Sequence, residues 1–332
     1  MGLPITIATW DYDRVRAVID GRVPVQGCEV NYLTMPVEEI FHRAHLSAEF
    51  EVSEIALSAY LSGLGSNSGP YVGVPVFLSR MFRHSAIYIR TDRGIARPQD
   101  LKGKRVGVPA YQMAAAVWAR GFLKDVYGLD YADMNWRQGG LEIPGRREIT
   151  PLRLPKDFPL EVIAPGKTLS AMLAAGEIDA LISARAPSCY DARHPTVRRL
   201  FEDYASAERD YYRQTGVFPI MHVLGVRKDV HARQPWLAAS LLKAFNAAKD
   251  IAIAEFEQFA ALKLTLPWIG SESIATRKLM GDDFWPYGGQ CQSQDARSGL
   301  PLRARAGDHA AAGRGRRVVP HIRRRFAETL TS

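Results

Sequence analysis

The sequence predicts an α/β protein of two lobes, with mainly parallel sheets and an interlobe cleft. Three observations predict this class. Strand-like and helix-like apolar patterns alternate from the N-terminus, the alternation restarts after residue 99, and a buried strand-like run at 218–226 crosses back to the first lobe. The 332 residues allow one large domain or two of ordinary size. We expect lobe 1 to comprise residues 1–89 and 221–288, and lobe 2 to comprise residues 90–220.

The first lobe begins with a strand at 5–9, and a helix with apolar residues on one face follows it. A second strand at 29–35 alternates apolar and polar residues, and Pro36 starts the next helix because proline suits the first helical turn. Residues 51–55 lead into a helix that ends at Leu61. The apolar runs 72–78 and 85–89 indicate buried strands, which are typical of parallel sheets.

The second lobe repeats this order of strand and helix. The predicted elements are a strand at 105–108, a helix at 113–127, a strand at 160–163, a helix at 168–175 and a strand ending at Ile182. After the crossing at 218–226, residues 236–259 form a long amphipathic helix on the first lobe. In such sheets ligands bind at the carboxyl ends of strands, so we look for the site there.

The net charge of +8 does not indicate a nucleic-acid partner, because the excess lies in one segment. Residues 289–332 contain nine arginines, no lysine and three acidic residues, and they show no clear periodicity. Two interpretations of this Arg/Gly/Ala-rich tail are a natural disordered extension and a one-base reading-frame shift in a GC-rich gene. We favour the frame shift, which sequencing of the gene would test by looking for an alternative open frame.

The chain carries no pattern typical of membrane or secreted proteins. No apolar run approaches the ~20 residues that span a bilayer, and the N-terminus lacks the features of a signal peptide. Three cysteines (Cys28, Cys189 and Cys291) are too few and too scattered for a disulfide framework or a metal site. We therefore expect a cytoplasmic protein, with no membrane partner and no metal, that is compatible with a homo-oligomer.

Seven segments resemble known proteins. Residues 98–130 (PQDLKGKRVGVPAYQMAAAVWARGFLKDVYGLD) and 168–184 (TLSAMLAAGEIDALISA) resemble the second lobe of type II periplasmic-binding-protein folds. Five more specific segments resemble the 4,5-dihydroxyphthalate decarboxylase family: IATWDYDRVRAVIDG (7–21), VSEIALSAYL (52–61), VFLSRMFRHSAIYIR (76–90), FPIMHVLGVRKDV (218–230) and MGDDFWPYG (280–288). The resemblance covers residues 5–288 and ends after Gly288.

The resemblance implies a carboxy-lyase of phthalate catabolism. Its substrate would be 4,5-dihydroxyphthalate or a close aromatic dicarboxylate, and its products protocatechuate and CO₂. The reaction needs cations or helix N-termini to hold the carboxylates, a general acid to protonate the ring carbon and stabilisation of charge on the phenol oxygens. We expect no cofactor, because the para hydroxyl group can supply the electrons.

The basic cluster Arg80, Arg83 and His84 precedes a buried strand, which favours a position near the cleft. Arginine pairs suit an ortho-dicarboxylate because each guanidinium can bind bidentately. The alternative is a solvated basic turn. We expect Arg80 and Arg83 to bind substrate and His84 to be one of the catalytic residues.

Two further acid–base candidates are Glu54 and His222. Ser53 and Glu54 follow a strand and open a helix in our reading, so Ser53 either caps that helix or binds substrate. Glu54 either benefits from the helix dipole or acts as the acid or phenol-binding base. His222 lies in an apolar run and is either a core histidine or a second acid–base group.

The remaining substrate-binding candidates lie at predicted carboxyl ends of strands. Tyr111 and Gln112 precede a helix, so their backbone N–H groups can cap it or hold an anion. Arg185 follows the strand that ends at Ile182 and can bind substrate or form an interlobe salt bridge. Trp10 can stack on an aromatic ring or lie in the core, and Arg14 follows the same strand.

Two other functions use the same fold, because a fold does not determine a function. One is a solute-binding protein that carries a small aromatic or carboxylated ligand to an ABC-type importer. The other is a biosynthetic enzyme of the kind found in thiamine-pyrimidine or menaquinone pathways. The absence of a signal peptide weighs against the receptor, and segments 80–90 and 280–288 favour the decarboxylase.

Overall fold

The computed structural model of the chain describes residues 2–66, 68–148, 152 and 154–288. This part of the chain divides into two units, one comprising 2–80 and 220–288 and the other comprising 81–219. The prediction for the tail from residue 289 onward falls outside the described residues, as does Cys291.

The first unit contains a five-stranded sheet in its described residues, in the order β2-β1-β3-β11-β4. Its strands are β1 (Leu3–Thr9), β2 (Cys28–Thr34), β3 (Val52–Ala56), β4 (Tyr71–Arg80) and β11 (Ile220–Arg227). Its helices are α1 (Arg16–Ile19), α2 (Val37–Ser47), α3 (Leu57–Ser66), α8 (Lys228–Arg233), α9 (Leu237–Ala254) and α10 (Ile269–Met280). β1 runs parallel to β2 and β3, whereas β11 runs antiparallel to β3 and β4.

The second unit contains a six-stranded sheet in its described residues, in the order β10-β5-β9-β6-β7-β8. Its strands are β5 (Ile87–Arg90), β6 (Arg105–Val108), β7 (Asn135–Gln138), β8 (Leu160–Val162), β9 (Ala180–Ile182) and β10 (Val197–Arg199). Its helices are α4 (Ala114–Asp125), α5 (Leu169–Ala175), α6 (Ser188–Asp191) and α7 (Tyr204–Thr215). The pairs β6–β7, β6–β9 and β7–β8 are parallel, and β5 pairs antiparallel with β9 and β10.

Local sequence signals place several of these elements where the pattern predicts them. β6 has the predicted bounds, and α5 begins after Thr168, whose hydroxyl accepts a hydrogen bond from the Ala171 N–H. The same helix ends at Gly176, which takes the left-handed conformation that glycine adopts without strain (φ 76°). The mixed α/β fold with a parallel majority of strand pairs in the described residues therefore matches the predicted class.

The boundary between the units differs from the prediction. β5 hydrogen-bonds to β9 and β10, so the strand-like run near residue 87 belongs to the second sheet and not to the first. The chain consequently leaves the first unit after Arg80 rather than at residue 89. The apolar pattern identifies a buried strand, but it carries no information on which of two sheets the strand joins.

Each sheet packs its apolar residues into a core of its own. In the first unit Ile7, Val52, Leu224 and Phe245 are among the fully buried members of one cluster, so α9 covers the sheet as its amphipathic pattern predicts. In the second unit Leu169, Leu173 and Leu181 belong to a separate buried cluster. No helix in the described residues has the length and apolar character of a membrane span.

The segment MGDDFWPYG packs against β4 and α9. The Gly288 N–H donates to the Pro75 carbonyl at 2.8 Å, and the Trp285 indole N–H donates to the Phe77 carbonyl at 3.0 Å. On the other side, Lys249 of α9 is 3% exposed, and its ammonium lies 2.8 Å from the Asp283 carboxylate. This ion pair anchors the segment because a buried ammonium requires a partner.

We expect Asp283→Ala to destabilise the protein by about 1–3 kcal/mol, the usual cost of leaving a buried donor with a weaker partner, here the Lys249 ammonium. Asp250, the other carboxylate nearby, lies 3.4 Å from that ammonium and its side chain is 69% exposed. Urea unfolding of wild type and variant measures the difference. Asp282→Ala is the matched control, because the Asp282 side chain is 98% exposed; equal effects at both positions would contradict an anchoring role for Asp283.

Candidate active site

Polar side chains of the first unit collect at one edge of its sheet. β1 is parallel to β3, and β11 is antiparallel to both β3 and β4. β1, β3 and β4 therefore end at this edge, and β11 begins there. Glu54 lies opposite Leu224 and Ala56 lies opposite His222. Since residues two apart on a strand share a face, this register places Glu54 and His222 on the same face as diagonal neighbours.

Glu54 is fully buried, and its carboxylate accepts three hydrogen bonds. The backbone N–H of Trp10 donates to Oε2 at 2.8 Å, and the Tyr12 hydroxyl donates to Oε1 at 2.6 Å. His222 Nδ1 lies 2.6 Å from Oε1. Burial alone would raise the pKa of Glu54, but the hydrogen bond and charge of His222, helped by Trp10 and Tyr12, bring it below its ordinary value. The side chain is therefore a buried carboxylate.

The imidazole of His222 is oriented from two sides. Its Nδ1 faces Glu54, and Phe41 packs against the ring edge to face at a centroid distance of 4.8 Å. The side chain of His222 keeps 16% exposure, whereas that of Glu54 has none. A carboxylate that accepts the Nδ1 proton fixes the tautomer and leaves Nε2 for chemistry. The pair is thus arranged for proton transfer through the imidazole.

Tyr12 completes this group. Burial and the negative charge of Glu54 raise the pKa of Tyr12 well above its ordinary value, so its hydroxyl stays protonated and donates to the carboxylate. Arg14 stacks on the Tyr12 ring at 4.0 Å and on the Trp285 ring at 4.2 Å. Its Nε donates to the Leu78 carbonyl at 2.7 Å, which fixes the guanidinium beside the group.

Tyr287 and Arg80 lie in the same region of the first unit. Arg80 is buried at the end of β4, and its Nη2 donates to the Pro286 carbonyl at 3.3 Å. The Tyr287 hydroxyl is buried without a hydrogen-bond partner. Burial raises the pKa of Tyr287, and the charges of Arg14 and Arg80 act in the opposite direction. Both guanidinium groups are therefore close enough to Tyr287 to influence its titration.

Two sequence interpretations in this region are wrong. Ser53 and Glu54 lie inside β3 and do not open a helix, so Ser53 is not a helix cap; its hydroxyl donates to the Glu54 carbonyl at 3.0 Å. The local sequence VSEIALSAYL is compatible with a helix or with a strand. Its first five residues form β3 because they pair with β1 and β11. Trp10 is not a core residue, because it is 43% exposed.

The second unit holds Arg83 and His84. The His84 ring stacks on Phe122 at 4.1 Å, and Phe201 and Tyr211 close around it. Both ring nitrogens are buried without a hydrogen-bond partner, and burial lowers the pKa of His84 to about 4. Burial likewise lowers the pKa of Arg83 to about 10, against the charge of Glu208. The imidazole of His84 is therefore neutral near pH 7.

The other predicted residues of the second unit are Tyr111, Gln112 and Arg185. Tyr111 and Gln112 direct their backbone N–H groups at the carboxylate of Glu148. Arg185 is exposed after β9, and its backbone N–H donates to the Ser183 hydroxyl at 3.3 Å.

Three residues of these sites were missed on the sequence. Tyr12 stands in the polar stretch after β1, Tyr287 stands in MGDDFWPYG, and Glu148 stands in an irregular stretch after β7. The position of Tyr12 just after the first strand was the usable signal, because polar residues at carboxyl ends of strands often line sites. Among the described residues, no group of three or more His, Cys, Asp or Glu side chains could hold a metal ion.

The fold and this group of residues define the class of protein. The periplasmic sulfonate-binding protein SsuA of Methylobacillus flagellatus is similar in structure, at 13% identity and a TM-score of 0.52, over 99% of this chain and 94% of its own. The chain thus has a periplasmic-binding-protein-like α/β fold with a buried carboxylate–imidazole pair at a sheet edge. No family model matches the sequence.

Two curated relatives identify the family more closely. The 4,5-dihydroxyphthalate decarboxylase of Comamonas testosteroni is 44% identical over 96% of this chain and 95% of its own length. The 4,5-dihydroxyphthalate decarboxylase of Pseudomonas putida is 46% identical over 64% of this chain and 82% of its own. The chain belongs to the 4,5-dihydroxyphthalate decarboxylase family. The match with the Comamonas enzyme extends beyond Gly288, where the quoted segments predicted that the resemblance ends.

Proposed function

We propose that this protein decarboxylates 4,5-dihydroxyphthalate to protocatechuate and CO₂. One observation carries the proposal: in a member of this family, the buried Glu54 carboxylate lies 2.6 Å from Nδ1 of an imidazole that keeps access to solvent. That arrangement suits a general acid for the ring carbon. The proposed reaction belongs in the cytoplasm, where free thiols such as Cys28 and Cys189 stay reduced.

In the proposed step, protonated His222 transfers its Nε2 proton to the ring carbon that bears the departing carboxylate. The hydroxyl group para to that carbon supplies electron density, so the ring is dearomatised as the new C–H bond forms. The bond to the carboxylate then breaks, CO₂ leaves, and the released electron pair restores the aromatic ring. His222 regains a proton from solvent, so each turnover consumes one proton.

Glu54 is a positioning residue in this proposal. Its side chain has no exposed surface, so it acts on the substrate only through His222. The carboxylate holds the imidazole by Nδ1 and stabilises the cationic form that donates the proton. Tyr12 donates a further hydrogen bond to the carboxylate, which favours the ionised form. This assignment differs from the sequence interpretation, in which Glu54 itself is the first candidate for the acid.

In this proposal, arginines of the first unit bind the substrate carboxylates. Arg14 and Arg80 lie near Tyr287, and a guanidinium binds a carboxylate with two parallel hydrogen bonds. The exposed indole of Trp10 offers a face for the aromatic ring. His84 takes no chemical step here, because aromatic rings enclose it and burial keeps it neutral.

The test is CO₂ release from 4,5-dihydroxyphthalate by the purified protein, with protocatechuate identified as the product. In D₂O we expect one deuterium at the ring carbon that lost the carboxylate, because the proton comes from a solvent-exchanged imidazole. Phthalate is the control substrate: it carries both carboxylates but no hydroxyl group, so we expect binding without CO₂. Binding of 4,5-dihydroxyphthalate without turnover by folded protein would instead support a solute-binding function.

A further inference from the structure

The hydroxyl group of Tyr287 is a buried donor that the fold itself does not use. The Tyr287 side chain is 7% exposed and its ring belongs to the apolar core of the first unit, with the Lys249 ammonium 5.4 Å from the ring centroid. The hydroxyl oxygen is buried and has no hydrogen-bond partner among the residues that the structure describes. Burying a hydroxyl in this way costs free energy of folding. Its presence therefore calls for a reason other than the stability of the fold.

The two residues before Tyr287 bring it beside Arg14 and Arg80. The Trp285 ring lies 4.2 Å from the Arg14 guanidinium, and the Pro286 carbonyl accepts from Arg80 Nη2 at 3.3 Å. Burial raises the pKa of Tyr287, and the charges of Arg14 and Arg80 are the largest influences that oppose it. The hydroxyl thus stays protonated beside two guanidinium groups. Such a set of donors is complementary to an anion with several acceptor oxygens.

The carboxylates nearest to this hydroxyl are engaged elsewhere. Asp13 and Glu54 act on the titration of Tyr287 through their charge. The Asp13 carboxylate accepts from the backbone N–H and the Nη1 of Arg14, and the Glu54 carboxylate is held by the three bonds described above. Neither carboxylate bonds to the Tyr287 hydroxyl. The set of donors therefore suits a carboxylate brought by a ligand.

We propose that Tyr287 is a substrate-binding residue, whose hydroxyl donates a hydrogen bond to a carboxylate oxygen of the aromatic dicarboxylate that Arg14 and Arg80 hold. The identity of that ligand rests on the function proposed above. Every residue of the contact belongs to the first unit. The neutral hydroxyl adds a directional bond to the charge of the two guanidinium groups, so it favours a planar carboxylate at one defined position.

The experiment measures binding of phthalate by isothermal titration calorimetry to wild type and to Tyr287→Phe. Phthalate keeps both carboxylates and lacks the hydroxyl groups that decarboxylation requires, so binding is measured without turnover. We expect Tyr287→Phe to raise the Kd for phthalate by about 10- to 100-fold, the range that corresponds to one hydrogen bond to a charged group. An unchanged Kd would overturn the proposal, and so would an absence of phthalate binding by wild type.

Thermal unfolding without ligand separates binding from a structural role. We expect Tyr287→Phe to unfold at the wild-type Tm or above it, because the hydroxyl that it removes has no partner in the fold. Tyr71→Phe is the matched control: Tyr71 is a buried residue of the same sheet, and its hydroxyl donates to the Phe50 carbonyl at 2.9 Å. That variant should have a lower Tm and the wild-type Kd. A lower Tm with an unchanged Kd in Tyr287→Phe would show a structural hydroxyl and overturn the proposal.

Turnover identifies the group that Tyr287 contacts. The KM for 4,5-dihydroxyphthalate should rise in Tyr287→Phe by about the same factor as the Kd for phthalate, while kcat changes little, because the contact is one of uniform binding. A loss confined to 4,5-dihydroxyphthalate would place the hydroxyl on the ring hydroxyl groups and overturn the carboxylate contact.

The two proposals fail separately. Weaker phthalate binding by Tyr287→Phe, together with no CO₂ from 4,5-dihydroxyphthalate in wild type, would retain the role of Tyr287 and reject the decarboxylase. Release of CO₂ by wild type, with the same phthalate Kd in wild type and Tyr287→Phe, would do the reverse.

Discussion

Replacing His222 by asparagine is expected to reduce kcat for CO₂ release from 4,5-dihydroxyphthalate by about 100- to 10,000-fold, the usual contribution of a general acid. The asparagine amide can still donate to Glu54, as His222 Nδ1 does at 2.6 Å, so the buried carboxylate keeps a partner. The amide cannot donate a proton to carbon. The loss should therefore appear in kcat, with a small change in KM.

Single-turnover measurements of protocatechuate formation would check this result, with His45→Asn as the control. His45 also uses Nδ1 for a hydrogen bond, to the Phe41 carbonyl at 3.0 Å, but it lies on α2 and not at the sheet edge. We expect that variant to keep wild-type kcat. If His222→Asn kept more than a tenth of the activity, another group would be the proton donor.

Replacing Glu54 by glutamine is expected to lower kcat by at least about 100-fold, because a neutral amide neither fixes the imidazole tautomer nor stabilises its cation. The neighbouring Glu51→Gln is the control. The Glu51 carboxylate accepts from the Thr6 N–H at 3.0 Å and pairs with Arg227, so that substitution also removes a charged partner from the same strand region. Retention of full kcat in Glu54→Gln would exclude the positioning role.

The difference in unfolding free energy between wild type and Glu54→Gln is expected to depend on pH. Because the pKa of Glu54 is lower in the folded protein than in the unfolded chain, its ionisation stabilises the fold above the ordinary glutamate pKa of about 4.3. That stabilisation is lost as the pH falls through the lower pKa of the folded state. Wild type should therefore exceed Glu54→Gln in unfolding free energy at pH 7, and urea titrations should show the difference shrinking toward pH 3. A difference independent of pH would contradict the assignment.

The fold was largely predictable from the sequence where apolar periodicity is strong. β6 was placed with its observed bounds, and the helix at 113–127 contains α4. β7 (NWRQ) and α7 (YASAERDYYRQT) were missed, because their polar composition hides the apolar face on which the prediction depends. The apolar pattern also could not predict that β5 joins the second sheet, because the pairing partners of a strand depend on the tertiary structure.

Part of the candidate site was predictable from the sequence, but its geometry was not. Glu54 and His222 were both chosen, yet only the antiparallel register of β3 and β11 brings residues 168 positions apart into contact. Apart from the position of Tyr12 just after the first strand, Tyr12 and Glu148 carry no sequence signal, because each makes its contact with a partner distant in the chain. The roles proposed for Glu54 and His222 rest on their unequal exposure, which the sequence does not contain.

The position of β11 has a consequence for how the protein is made. β11 supplies His222 and completes the first sheet between β3 and β4, but the whole second unit, residues 81–219, precedes it in the chain. During synthesis the second unit therefore emerges from the ribosome before β11 can complete the first sheet. The second unit is continuous in sequence and can fold while the chain is still growing. The Glu54–His222 pair forms late, and until then the strand edges of β3 and β4 need protection from aggregation.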